Sequence, residues 1–279
     1  MDFPGFSQSP IETAGTTIDN LTITQGTLNV NITCTPAVNI KGNISVASGQ
    51  TLTFSPASAS TLTFSGTTPQ TISNSGTLTF AANEAVVIAN TASPTPSVTF
   101  NQSQTISGST TINASSRLAT SGTLTLSGTK TFNGAFQLNQ GGSLVGVPTY
   151  GSSSTLIYAG TSAQIPTATE WPAASGPANL ISANTVGVNV PASFDRTLTG
   201  NLTLTSGTLN DGSSLLTVNG SVLGTGTHSS TGVGRIFLNG NTPGISGATL
   251  GNIRINNPTT LTFTGSPTVN GTFDQAGFN

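Results

Sequence analysis

Charged side chains are nearly missing from this sequence. It has 6 Lys and Arg and 8 Asp and Glu among 279 residues, or 5%, where about 25% is usual. The cations are scattered, so we expect no nucleic-acid partner, because binding to phosphates needs clustered Lys and Arg. The shortage of Glu and Lys also disfavours long helices. Thr, Ser and Asn take the place of the charges, which indicates a surface of hydroxyls and amides on strands.

Long apolar runs and cysteine pairs are lacking as well. No run approaches the roughly 18 apolar residues of a membrane helix, so we expect no membrane insertion. Residues 1–10 have neither the charged nor the apolar region of a signal peptide. The single cysteine, Cys34, excludes an internal disulfide and is interpreted as a small buried hydrophobic residue. The composition favours an extracellular or cell-surface location.

The chain does have short segments in which apolar and polar residues alternate. The clearest example is residues 201–220, NLTLTSGTLNDGSSLLTVNG. Leu202 and Leu204 alternate with threonines, and Leu216 and Val218 repeat the pattern after a turn at 210–212. Alternation places the apolar residues on one face of a strand. Three short strands separated by Gly, Asn and Ser corners predict one turn of a parallel β-solenoid.

The same pattern recurs at unequal intervals, as in QTLTF at 50–54, STLTF at 60–64 and GTLTF at 76–80. Unequal intervals with a constant strand pattern favour a β-helix over a propeller, whose blades are nearly equal in length. We therefore predict an all-β, right-handed parallel β-helix with irregular corner loops. Coils of roughly 20–25 residues would give on the order of 10–13 coils.

The predicted organisation is an N-terminal lead-in or cap at 1–19 and one solenoid domain at 20–279. A proline-rich loop at about 164–179 is predicted to protrude from that domain, since Pro interrupts a strand ladder. The predicted inward-facing residues are Leu62, Phe64, Leu78, Phe80, Leu124, Leu126, Leu202, Leu204, Ile253, Ile255, Leu261 and Phe263.

A family resemblance rests on the second half of the chain. Its motifs are STLIYAGTSAQ at 154–164, EWPA at 170–173, RTLTGNLTLTSGTLNDG at 196–212, GRIFLNGN at 234–241 and ISGATLGNIRINN at 245–257. This series resembles the repeat regions of large secreted, adhesin-like surface proteins of Gram-negative bacteria, often exported by the type IX system. The resemblance covers roughly 154–279, and it implies a β-helical stalk or adhesin segment at the cell surface.

Candidate ligand-binding residues cluster around the sole tryptophan. Trp171 stands beside Glu170 in the 164–179 loop, and Tyr150 and Tyr158 precede that loop. The indole ring could stack on a sugar face, or it could fold back and cover the solenoid. Both interpretations stay open at this point.

No constellation predicts catalysis, a metal site or a cofactor. The eight acidic residues are spread along the chain. His228 is expected in an exposed Gly-Ser-Thr corner, Asp211-Gly212 in a turn, and Asp195-Arg196 as a corner ion pair. We therefore predict a protein that is not an enzyme.

The function predicted from these observations is a structural segment of a cell-surface adhesin, stalk or self-assembling filament. The alternative is a carbohydrate- or surface-binding module; ice binding and a polysaccharide lyase-like activity rank lower. The expected partners are further copies associating end to end, flanking repeats of the same parent chain, and surface glycans.

Overall fold

The described part of the chain consists of strands and turns without a helix. A computed structural model describes residues 17–30, 38–93, 95–256 and 260–276. Cys34 and residues 1–16 lie outside these ranges. The chain divides into two compact units, residues 1–148 and 149–279.

Within the described ranges, the first unit has eighteen short strands. They are β1 (Thr17–Ile18), β2 (Leu21–Ile23), β3 (Thr27–Val30), β4 (Val38–Ile40), β5 (Ile44–Val46), β6 (Thr51–Phe54), β7 (Ser60–Phe64), β8 (Gln70–Asn74), β9 (Thr77–Phe80), β10 (Glu84–Ile88), β11 (Val98–Phe100), β12 (Gln104–Ile106), β13 (Thr110–Ile112), β14 (Arg117–Thr120), β15 (Thr123–Leu126), β16 (Lys130–Phe132), β17 (Ala135–Asn139) and β18 (Ser143–Val145).

These strands form three parallel sheets, because every third strand pairs with the equivalent strand of the next turn. Sheet I runs β1-β4-β7-β10-β13-β16, sheet II runs β2-β5-β8-β11-β14-β17, and sheet III runs β3-β6-β9-β12-β15-β18. Each turn of the chain therefore contributes one strand to each sheet. Strand β1 already belongs to the first described turn, so the repeat includes Thr17, slightly before the predicted boundary at residue 20.

The described residues of the second unit form seventeen strands. They are β19 (Thr149–Tyr150), β20 (Thr155–Ala159), β21 (Asn179–Ser182), β22 (Val188–Asn189), β23 (Arg196–Leu198), β24 (Leu202–Leu204), β25 (Thr208–Asn210), β26 (Leu215–Val218), β27 (Val222–Gly224), β28 (Thr227–Ser229), β29 (Arg235–Leu238), β30 (Gly244–Ser246), β31 (Thr249–Leu250), β32 (Ile253–Asn256), β33 (Thr262–Thr264), β34 (Thr268–Val269) and β35 (Phe273–Ala276).

The second unit repeats the three-sheet arrangement. Sheet IV runs β20-β21-β24-β27-β30-β33, sheet V runs β22-β25-β28-β31-β34, and sheet VI runs β23-β26-β29-β32-β35. The first unit has six described turns. In the second unit, β19 and β20 belong to one turn, and five further turns follow. The chain therefore has about twelve turns. The predicted all-β parallel β-solenoid is confirmed.

Turn length varies, as the unequal intervals predicted. The register places Ile236 beside Ile253 in one pair of turns and Ile44 beside Ile72 in another. The second of these steps along the chain is much longer than the first, yet the strands stay in register because the corners absorb the difference. Corner length is therefore free to vary without disturbing the ladders.

In most turns the residues that face the core are the ones predicted from the alternation of apolar and polar residues. Ten of the twelve predicted inward-facing residues are buried, among them Leu62, Phe64 and Leu204 at 0–1% exposure. In the first unit phenylalanines also meet between turns; Phe54 and Phe80 stack with ring centroids 5.4 Å apart. Such aromatic contacts add to the hydrophobic stabilisation of about 1.5–3 kcal/mol for each fully buried large side chain.

The prediction is wrong for Leu261 and Phe263. Leu261 is half-buried, and the Phe263 side chain is 52% exposed. Phe263 lies on β33, which pairs with β30 on one side and has no further partner strand among the described residues. An inward-facing residue is fully covered only when a turn lies on each side of it, and the turn of β33 to β35 is covered on one side.

Corner asparagines connect successive turns. The Oδ1 atom of Asn179 accepts the N–H of Asn201 at 2.8 Å, and Asn201 Oδ1 in turn accepts the N–H of Ser221 at 2.8 Å. In the first unit Asn20 accepts the N–H of Asn43 in the same way. These bonds satisfy backbone donors where the chain leaves the sheets, and they account for the many Asn residues at corners.

Candidate functional site

The structure brings the four predicted ligand-binding residues together, and it buries them. Exposure is 1% for Trp171, 3% for Glu170, 1% for Tyr158 and 9% for Tyr150. No open ring face is therefore available for stacking on a sugar. Of the two interpretations of Trp171, this geometry favours the one in which the indole covers the solenoid.

Glu170 organises this cluster through hydrogen bonds. The Tyr158 hydroxyl donates to Glu170 Oε1 at 3.1 Å, and the Thr167 amide donates to the same oxygen at 2.6 Å. The Thr167 hydroxyl donates to Oε2, and the Tyr150 hydroxyl donates to the Glu170 carbonyl. Burial, together with the Glu170 charge, raises the pKa of both tyrosines well above the usual value. The tyrosines therefore stay protonated and act as donors.

Arg196 holds the other side of the loop. Its Nε donates to the Trp171 carbonyl at 2.6 Å, and its guanidinium carbon lies 3.3 Å from the centroid of the Phe194 ring. Its Nη1 donates to the main-chain carbonyl of Asp195 at 2.7 Å, whereas the Asp195 carboxylate accepts the Leu215 amide. The two side chains therefore form no close ion pair, although burial, which lowers the pKa of Arg196, is partly opposed by the Asp195 charge. Buried contacts at Glu170 and Trp171 fix the 164–179 loop against the strands of the second unit, and the predicted protrusion is anchored.

His228 is buried, which corrects the expectation of an exposed corner. It lies on β28 with 1% exposure, and its Nε2 is 3.3 Å from Asp211 Oδ2. Its Nδ1 accepts the Gly251 amide at 3.3 Å, so the hydrogen-bond pattern places the imidazole proton on Nε2. Asp211 remains in the predicted turn, where its carbonyl accepts the Ser214 amide.

The Asp211 carboxylate is held in its ionised form. Burial alone would raise its pKa, but the contacts with His228, the Thr231 amide and Ser230 outweigh that effect, and the pKa is lowered from its ordinary value. The Thr231 and Ser213 amides both donate to Oδ1. The Asp211–His228 pair connects two successive turns at sheet V, and the bond from the Gly251 amide to His228 adds a third. Both side chains of the pair are closed to solvent.

Glu84 is a buried acid without a partner. It is 1% exposed at the start of β10, and among the described residues neither carboxyl oxygen has a hydrogen-bond partner. Its neighbour in the ladder, Ser60, is also buried, and its hydroxyl has no partner in the described part of the chain. Burial raises the pKa of Glu84 from 4.5 to about 7, so the side chain is neutral through the mildly acidic range.

A groove with a volume of about 440 Å³ lies on the outer face of sheet VI. We call it the sheet VI groove. Its central residues are Asp195, Leu215, Val233, Arg235, Phe237 and Arg254. A second depression of about 340 Å³ shares Val233 and Arg235 and continues to Phe273 and Asp274. The concavity therefore extends across successive turns.

The groove combines charged and apolar groups in a chain that has few of either at its surface. The Arg254 guanidinium lies 5.9 Å from the Phe237 ring centroid, and its Nε is 3.5 Å from Asp274 Oδ2. Leu215 and Val233 are 36% and 73% exposed. Aromatic and apolar walls with a few charged groups are typical of ligand sites.

Sequence reasoning missed this groove because its residues are far apart in the chain. Leu215 lies beside Arg235 in the ladder, and Phe237 beside Arg254, although a whole turn of the solenoid separates the members of each pair. A signal was present in the outward parity of Arg235, Phe237 and Arg254, opposite to that of the buried isoleucines. It could be used only once the register was known.

Comparison with protein-family models, curated proteins and solved structures finds no match to this chain. Within the described ranges no three His, Cys, Asp or Glu side chains gather as metal ligands. The same residues include no helix long and apolar enough to cross a membrane.

Proposed function

We propose that this chain is a non-enzymatic structural segment of an extracellular protein, an adhesin, stalk or self-assembling filament at the cell surface. The observation that carries the proposal is the continuity of the ladders within each unit. Successive turns are joined by parallel strand pairings in three sheets and by corner side chains such as Asn201. An array in which each repeat contacts its neighbours suits extension over distance.

The resemblance of residues 154–279 to adhesin-like repeat regions supports the same proposal, including secretion and the type IX route. A surface of Thr, Ser and Asn with a net charge of −2 adds support, because it gives little repulsion between copies. The half-covered turn of β33 to β35 exposes Phe263 and Phe273, at 52% and 45%. These apolar side chains would be covered by a further turn or by a second copy.

Electron microscopy of the purified protein tests the structural role. Elongated particles or filaments are expected, and compact globular particles would contradict the proposal. A parallel assay with a panel of polysaccharides tests the non-enzymatic part. Cleavage that disappears in Asp195→Asn or His228→Ala would show that the protein is an enzyme.

A further inference from the structure

We infer that the sheet VI groove is a binding site for saccharides that carry a carboxylate. This inference goes beyond the proposed structural role and does not depend on whether the chain is a stalk or a filament. It rests on an arginine of the groove that has no ion pair among the described residues, on the pairing of the groove's backbone and on strained residues in its wall.

The groove contains one cation that can bind an anion, Arg235, although its whole lining of Arg235, Arg254, Asp195 and Asp274 is neutral overall. Among the described residues Arg235 makes no ion pair; its Nε donates to the Val233 carbonyl at 3.3 Å. The nearby Asp195 carboxylate accepts the Leu215 amide at 2.7 Å and so is directed to the backbone. Arg254 already has Asp274 at 3.5 Å. A planar carboxylate matches the forked donors that the Arg235 guanidinium presents.

The backbone of the groove is not available to a peptide strand. Strands β26, β29 and β32 are each paired on both sides within sheet VI. A peptide therefore cannot add to this face as an extra strand, which is the usual way in which extended peptides bind sheets. A ligand in the groove would therefore be bound by side chains. These are the Phe237 ring, the apolar Leu215 and Val233, and serine hydroxyls. These groups suit the apolar faces and hydroxyls of sugar rings.

The wall of the groove holds its residues in an unusual conformation. Three non-glycine residues of the described chain have positive φ, and two of them, Ser193 (59°) and Ser213 (67°), line the groove. The left-handed region is unfavourable for a non-glycine residue, and residues held there concentrate at binding and active sites. Because the concavity also extends across turns towards Phe273, it suits a chain of sugars better than a single one.

The test is calorimetric titration of the full chain with oligosaccharides of galacturonate, of glucuronate and of terminal sialic acid. The methyl ester of each and an acidic peptide of equal charge are titrated in parallel. At least one acid should bind, its ester should bind at least about ten-fold more weakly, and the affinity should fall with salt.

Two groove variants and one control locate the site. Arg235→Gln should weaken binding about ten-fold or more, as expected for the loss of a charge-assisted hydrogen bond. Phe237→Ala should weaken it as well. Arg117→Gln in the first unit makes the same charge change on β14 and should leave the affinity unchanged. Thermal unfolding of each variant verifies that the fold is retained.

Three outcomes would overturn the inference. The first is that none of the three acids binds at millimolar concentration. The second is equal binding of acids and esters, or binding unaffected by Arg235→Gln and Phe237→Ala. The third is tighter binding of the acidic peptide at the same residues, which would make the groove a peptide site. Each outcome is distinct from the microscopy result that tests the structural role.

Discussion

At the scale of single residues, the buried ionisable groups determine how stability depends on pH. Glu84 has a pKa of about 7 in the folded protein against 4.5 for an ordinary glutamate. As the pH rises from about 4.5 to 7, the unfolded chain ionises first, so the folded state loses relative stability. The loss approaches about 3 kcal/mol above pH 7.

Glu84→Gln removes this titration while keeping the size of the side chain. The melting temperature of the wild type should fall between pH 5 and 8, and that of Glu84→Gln should stay nearly constant in the same range. Asp19→Asn, which changes an exposed carboxyl, should retain the wild-type profile. Parallel profiles for wild type and Glu84→Gln would mean that Glu84 is ionised in the folded protein.

Asp211 affects folding stability at low pH, and its effect has the opposite pH dependence to that of Glu84. Its folded-state pKa is lowered, so its stabilising contribution is present above the unfolded value of about 3.9. That contribution is lost as the pH falls through the lower folded pKa. Asp211→Asn should therefore reduce the loss of melting temperature between pH 4 and 2.5. Asp19→Asn, which changes an exposed carboxyl, serves as the control, and an unchanged acid slope in Asp211→Asn would contradict the assignment.

At the scale of the strand, the position of a turn in the stack decides how much an inward residue matters. Leu204→Asp places a charge in a dry stack and should destabilise by about 3 kcal/mol or more. Phe263→Asp has the same parity but lies on the half-covered turn and should cost less than about 1 kcal/mol. Thermal or urea unfolding measures both, and equal effects would show that the last described turn is covered as fully as the others.

The strand pattern could be predicted because alternation is a local property. Leu62, Phe64 and Leu204 each have threonine as an immediate neighbour, which fixes their parity. The partners of His228 could not be predicted in this way. Asp211 and Gly251 belong to the turns before and after it, and only the register of sheet V brings them to the imidazole.

The candidate sites also depend on contacts between turns, which local alternation does not predict. Sequence reasoning placed Trp171, Glu170 and the two tyrosines together, since they lie in or shortly before one loop, but it could not establish their burial. It missed Arg235 and Arg254 as one site because corners of unequal length separate outward neighbours along the chain. Composition does not fix those corner lengths.

At the scale of the whole molecule, the proposed end-to-end association predicts that mass depends on concentration. Light scattering of the intact chain should show growth at high concentration, because exposed Phe263 and Phe273 favour a further contact and a heterologous contact does not close. Replacing both phenylalanines by Asp should reduce that growth. Deleting residues 1–16, which leaves β1 intact, tests whether the N-terminal residues take part in the same association.

Strict monomers for the intact chain and for both altered forms would exclude a filament of this chain alone. A segment joined to flanking repeats within one longer parent chain would then be the better structural proposal. The matched control is Leu215→Asp, which changes an exposed apolar residue on the outer face of sheet VI. It should leave association unchanged.

The pairing of each turn with only its neighbours has a consequence under mechanical load. A turn at the edge of a unit can detach without breaking the hydrogen bonds of the turns behind it. Each detached turn of about 20 residues releases up to roughly 70 Å of chain. Stretched between its termini, the protein should lengthen in a series of small steps, dissipating work gradually where a globular domain would give way in one event.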